Sequence, residues 1–217
     1  MTIHAKLAGG LQRLRVQTQP RLNGIPNTIT RDELVQLAVR RYDGPVWLVA
    51  TTHDLERALH DIRREHVVGL DTETQPAFRK GQSHLPSLVQ VATARAVYLF
   101  QLKRLEFSGA LTEVLENPAI IKAGIGLADD LLKLKKVFPF KEENVVDIGA
   151  VVRRHGVKQS GVRNLAGLFL GFRITKGSRT SNWGRPHLSR SQIIYAATDA
   201  WVCRELYLRF QKLGLRG

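Results

Sequence analysis

The chain has one cysteine, Cys203, and one methionine among 217 residues, and only 7% of its side chains are aromatic. A lone cysteine cannot close an internal disulfide, so burial must hold the fold together, and a reducing, intracellular location, the cytoplasm, is expected. An apolar leader segment is also lacking. The polar opening MTIHAKLAGGLQRLR carries no hydrophobic stretch of the kind that directs secretion, so neither export nor membrane insertion is expected. Acidic residues are scarce as well: 19 Asp and Glu stand against 33 Lys and Arg, a formal charge of +14.

What is present is enough hydrophobic residue, 43% of the chain, to build one ordinary domain with a real core. The positive charge would attract a polyanion, either nucleic acid or an anionic membrane surface, and charge alone does not choose between them. It is unevenly spread. From Ile148 to Thr198 there are nine basic residues (Arg153, Arg154, Lys158, Arg163, Arg173, Lys176, Arg179, Arg185, Arg190) and no Asp or Glu. This stretch reads as a phosphate-facing surface or, more plainly, as a solvated face.

Residues 1–45 carry turn formers (Gly9-Gly10, Pro20, Asn23-Gly24, Pro26-Asn27) and one helical segment, Arg31 to Arg41, that Thr30 could cap, which predicts an N-terminal arm. A single domain is expected over 46–217. Short apolar runs at Val46–Ala50, Val67–Leu70, Ser87–Ala92, Ala96–Phe100, Ile120–Ala123 and Asn144–Asp147 predict strands, and amphipathic stretches between and after them predict helices. The order is a meander followed by alternating strand and helix. It predicts an α/β fold with a mixed central sheet of about five or six strands flanked by helices.

Three acidic features stand out. Asp71 and Glu73 follow the apolar run Val67-Val68-Gly69-Leu70, and period-two alternation turns both carboxylates to one face, where a divalent cation with hard oxygen ligands would relieve their repulsion. Strands also end in acids for turn or capping reasons. Asp129 and Asp130 open a helix, where the macrodipole explains one acid and leaves the other unexplained. The preceding Gly124-Ile-Gly126-Leu-Ala does not make a dinucleotide loop, because Asp129 stands where the third glycine would be. Tyr195 and Asp199 lie four residues apart on the final helix, so phenol and carboxylate share a face, and Asp199 needs either a metal or one of the many arginines as a partner.

Together these motifs resemble the tyrosine branch of the DEDD 3′-to-5′ exonucleases, which includes ribonuclease D and the Werner syndrome protein exonuclease. The resemblance runs from about Val46 to Leu208. Val68-Gly-Leu-Asp71-Thr-Glu73-Thr is similar to the first motif, Lys122-Ala-Gly-Ile-Gly-Leu-Ala-Asp-Asp130 to the second, and Tyr195-Ala-Ala-Thr-Asp199 to the third, while Lys176-Gly-Ser-Arg179-Thr-Ser-Asn-Trp183 matches the family's basic loop. The resemblance implies a ribonuclease H-like fold and removal of 5′-mononucleotides from the 3′ end of DNA or RNA with two Mg²⁺ or Mn²⁺ ions. Asp71 would bridge both ions, Glu73 and Asp199 would complete one site, Asp130 would hold the other, and Tyr195 would orient the attacking water or help remove its proton. Arg79, Lys80, Lys176 and Arg179 are the expected backbone contacts, with Phe78 and Trp183 stacking on bases, although Trp183 reads equally well as packing for the loop. The alternatives on the same scaffold are a catalytically inactive nucleic-acid-binding module and an endonuclease of the ribonuclease H type.

Overall fold

The computed structural model describes residues 21–22, 24–77, 82–103, 107–178 and 180–215. Its centre is a six-stranded sheet in the order β3-β6-β5-β4-β7-β8, built from β3 (Val46–Val49), β4 (Val67–Thr74), β5 (Pro86–Ala92), β6 (Val97–Gln101), β7 (Ile121–Gly124) and β8 (Val145–Asp147). The meander β4-β5-β6 is antiparallel, and β3, β7 and β8 join it in parallel. This is the mixed sheet that a meander followed by βα units demands. A two-stranded ladder, β1 (Arg21–Leu22) with β2 (Ile25–Pro26), lies outside it.

Helices cover both faces. On one, α2 (Thr52–Ile62), α3 (Ser108–Glu116) and α4 (Leu127–Leu134) bury Ala58, Ile62, Leu111, Leu127 and Leu131 against Val68 and Leu70 of β4. On the other, α5 (Ile148–Arg154), α6 (Val162–Leu165) and the long α7 (Arg190–Lys212) pack Val152, Leu165, Val202 and Leu206 against Val67 and Ala123. The alternation along β4 decides which of its residues face α7: Val67, Gly69, Asp71 and Glu73 share that side. Gly69 permits the approach. A Cβ there would stand 1.9 Å from the Ala200 carbonyl oxygen, so no larger residue lets α7 lie this close to the strand.

Start signals act as their sequence suggests. Thr51 and Ser189 cap α2 and α7 with reciprocal capping boxes, each satisfying orphan amides at the helix start. Thr30 does the same for α1 (Arg31–Gln36), but this helix stops at Gln36 and not at Arg41. The chain turns extended because its backbone is engaged elsewhere: Arg40 N–H donates to Arg173 C=O at 2.9 Å, and Arg173 N–H donates to Ala38 C=O at 3.0 Å. The chain is α-helical from Val162 only to Leu165 and then widens into a π turn over Ala166–Leu170. Among the described residues, no helix is long and apolar enough to cross a membrane.

Candidate active site

β4 runs on through its acids to Thr74 because β5 pairs with it along that length, with Asp71 opposite Gln90 and Glu73 opposite Leu88. Asp71 and Glu73 are therefore held by a central strand. α7 lies across them and adds Asp199 from one turn beyond Tyr195, so that Asp71, Glu73 and Asp199 each offer an oxygen within 4.8 Å of the others. Glu73 and Asp199 are only 8% and 6% exposed. Asp130, in the first turn of α4, lines the same cleft of about 900 Å³, together with Tyr195. Asp129 is exposed and does not line it.

Four acids line one cleft, and three of them, Asp71, Asp130 and Asp199, are shifted upward, chiefly by burial. Burial, and then the charges of Asp199 and Asp130, push the Asp71 carboxyl well above the usual range. Burial raises Asp130 too. Asp199 is pushed up to about 6 by burial, partly offset by the Tyr195 hydroxyl, which donates toward it, and by the positive charge of Arg163. The Tyr195 phenol moves upward through burial and then through Asp199, Glu73 and Asp71. Asp71, Asp130 and Asp199 make no ion pair of 4.0 Å or less with any described Lys or Arg. Clustered carboxylate oxygens of this kind suit a hard divalent cation, whose binding would favour their ionised forms.

Several neighbours were not among the expected site residues. Arg163 and Asn164 from α6, Lys133 from α4, and Thr175 and Gly177 from the basic loop all line the cleft. Arg163 Nε is held by the Ile174 carbonyl at 3.2 Å, so the side chain stands beside Asp199 without plugging the acid cluster. Gly177 touches Tyr195 directly: a Cβ there would sit 2.3 Å from Tyr195 Cδ2, and its φ of +39° disfavours a side chain in any case. Gln90 is fully buried beside Asp71, and neither polar atom of its amide has a partner among the described residues. An amide inside an apolar strand gives no sequence signal of such a position.

Of the expected nucleic-acid contacts, Phe78, Arg79, Lys80 and Arg179 lie outside the described residues. Lys176 is exposed on the wall of the cleft. Trp183 requires a correction. It is 1% exposed, packed with Leu88, Leu99 and Ala197 and tilted against Tyr195 at 6.1 Å between ring centroids, so it offers no face to a base and instead supports the helix that carries the phenol.

The mixed sheet flanked by helices is of the ribonuclease H-like α/β class. Within that class the chain belongs to the 3′-5′ exonuclease family, whose model matches residues 46–214. It is 30% identical over 206 residues to a human protein named exonuclease mut-7 homolog, covering 82% of this chain and 23% of that protein. It is 33% identical over 155 residues to the mouse bifunctional 3′-5′ exonuclease/ATP-dependent helicase WRN, covering 68% of this chain and 11% of the relative. The chain thus spans under a quarter of the length of either. The Aedes aegypti Nibbler EXO domain shares its fold, with a TM-score of 0.70 at 23% identity over 81% of this chain and 91% of that one.

Proposed function

We propose that this chain is a 3′-to-5′ exonuclease that releases 5′-mononucleotides from the 3′ end of DNA or RNA by two-metal-ion hydrolysis. The observation that carries the reading is the meeting of Asp71, Glu73 and Asp199 within 4.8 Å, with Asp130 lining the same cleft. Asp71, Glu73, Asp130 and Asp199 would together hold a pair of Mg²⁺ or Mn²⁺ ions. Such ions supply water activation and charge neutralisation at a phosphodiester.

The chain's own residues account for the rest. Tyr195, with an ordinary phenol pKa near 10 raised further by its buried acidic surroundings, is a neutral hydroxyl at pH 7. Its part is to orient the attacking water by hydrogen bonding, not to remove the proton. Attack at phosphorus breaks the P–O3′ bond and leaves a free 5′-mononucleotide and a strand one residue shorter. Lys176 and the cations of the Ile148–Thr198 stretch, with Arg79, Lys80 and Arg179, would bind the backbone, making affinity strongly salt-dependent.

The test is a 5′-labelled single strand, DNA and RNA in parallel, incubated with Mg²⁺ or Mn²⁺, with chelator, and with Asp71→Ala. A ladder shortening one nucleotide at a time, abolished by chelator and by the substitution, is expected, and a closed circular strand should survive. Binding without shortening, or cutting of the circle, would refute the proposal in favour of a binding module or an endonuclease.

A further inference from the structure

Before β3, residues 27–42 are tied to the rest of the fold. Asn27 C=O accepts from Lys158 N–H at 3.0 Å, Ile29 N–H donates to Gln159 Oε1 at 2.8 Å, and Arg173 Nε donates to Leu37 C=O at 3.0 Å. Leu34 is buried, and a Cβ on Gly167 would strike its Cδ1 at 2.7 Å, so α1 lies tightly on the π turn. Further on, Tyr42 N–H donates to Thr198 Oγ1 at 3.0 Å, one residue before Asp199. These bonds tie the strap down at both ends and leave its middle, Val39-Arg40-Arg41, beside the third motif.

There the strap forms one wall of a cavity of about 410 Å³, faced by Thr175, Ser191 and Ile194. Gly177, Tyr195 and Asp199 line both this cavity and the acidic cleft, so the two adjoin across the phenol. Arg40 and Arg41 are exposed, and neither forms an ion pair with any described residue. Arg40 stands over the Phe172 ring at 5.7 Å, which restrains it without neutralising it. Val39, 49% exposed, puts an apolar surface beside the two guanidinium groups. Two unneutralised arginines, a hydroxyl and an apolar side chain around one cavity match the chemistry of a nucleotide: phosphate oxygens for the arginines, sugar or base for the apolar side.

Resting on the exonuclease reading, we propose that the strap supplies a second backbone subsite, in which Arg40 and Arg41 grip the phosphodiester next to the one being cut. This segment lies before the 46–214 span matched by the family model. Engagement of that phosphate would hold the strand's 3′ end against Tyr195, so the strap acts on binding and not on the chemical step.

The experiment compares wild type, Arg40→Ala/Arg41→Ala, Arg40→Lys/Arg41→Lys and the control Arg64→Ala/Arg95→Ala, whose residues lie at the opposite rim of the sheet. Strand shortening is measured across a salt series, and anisotropy of a labelled 12-nucleotide strand is measured in chelator, where no turnover is needed. The double alanine variant should raise KM about tenfold with kcat little changed, and should flatten the slope of log affinity against log salt by about 1.4, as loss of two phosphate contacts on a single strand requires. The lysine pair should recover most of the affinity. An unchanged KM and salt slope, or the same change in the control, would overturn the subsite. A wild type that binds the strand through Arg40 and Arg41 but never shortens it would sink the exonuclease reading and leave the subsite standing.

Discussion

Gly177→Ala tests how the phenol is positioned. The new Cβ would lie 2.3 Å from Tyr195 Cδ2, so the ring or the loop has to withdraw by about 1 Å to restore an ordinary 3.4 Å contact. Misplacement of a reacting or orienting group on that scale lowers turnover by about 100-fold. The φ of +39° adds a backbone penalty of about 1–2 kcal/mol for a residue bearing a Cβ. The variant is therefore expected to fold with a modestly lowered Tm and to lose about two orders of magnitude in kcat, with KM changed little. If the loss runs through the phenol, it cannot be taken twice: adding Gly177→Ala to Tyr195→Phe should lower kcat far less than it does in the wild type. Single-turnover shortening of a 5′-labelled strand measures all four members of the cycle. Full activity in Gly177→Ala, or an equal loss in both backgrounds, would refute the claim that this glycine sets the position of the Tyr195 hydroxyl.

Asp199→Asn should abolish strand shortening yet stabilise the metal-free protein at pH 7 by on the order of 2 kcal/mol, read as a higher Tm, because it removes a buried carboxylate. The folded pKa of about 6 lies above the ordinary carboxylate value, so wild-type stability falls as pH rises through that window and the advantage of the variant shrinks toward pH 4, which thermal melts at several pH values would check. Lys122 is fully buried, donates to the Asn117 carbonyl at 2.7 Å and is lowered to about 8 by burial. The unfolded chain keeps that proton up to about 10.5, so stability should rise between pH 8 and 10.5, and Lys122→Met should gain about 2 kcal/mol at pH 7 with the gain fading above pH 8; an equal gain at pH 10.5 in urea titrations would contradict this. Gly69→Ala should lower stability by more than about 3 kcal/mol, since its Cβ would meet a helix carbonyl at 1.9 Å, and an unchanged urea midpoint would show that α7 does not pack so closely.

Asp71, Glu73 and Asp199 were legible in part because their geometry is local, while the choice of Asp130 and the joining of the acids into one site came from the resemblance of the motifs. Two residues apart on a strand, or four apart on a helix, side chains share a face whatever the rest of the fold does, and the apolar runs around Asp71 and Asp199 told that this face is buried. The mixed sheet followed from the same patterns. What escaped was decided by tertiary contact. Trp183 in a basic loop has one sequence signature whether it meets a base or plugs the space beneath α7, and only its packing on Leu88 and Ala197 settles it. Leu37 to Arg41 reads as the end of a helix, yet a β-bridge from Val39 to Arg173, 134 positions away in the chain, draws it out as an extended strap. Arg163 gave no sign of standing beside Asp199 because its place depends on how α6 docks, and Gln90 sits in a strand whose apolar neighbours conceal it.

The central claim is that Asp71, Glu73, Asp130 and Asp199 together hold divalent cations where a phosphodiester is cut. Counting Mn²⁺ by electron paramagnetic resonance, in the presence of a 5′-mononucleotide, tests it most directly. About two ions per chain are expected in the wild type, with most of the binding lost in Asp71→Asn. Equal Mn²⁺ binding by the two proteins, or none by either, would contradict it.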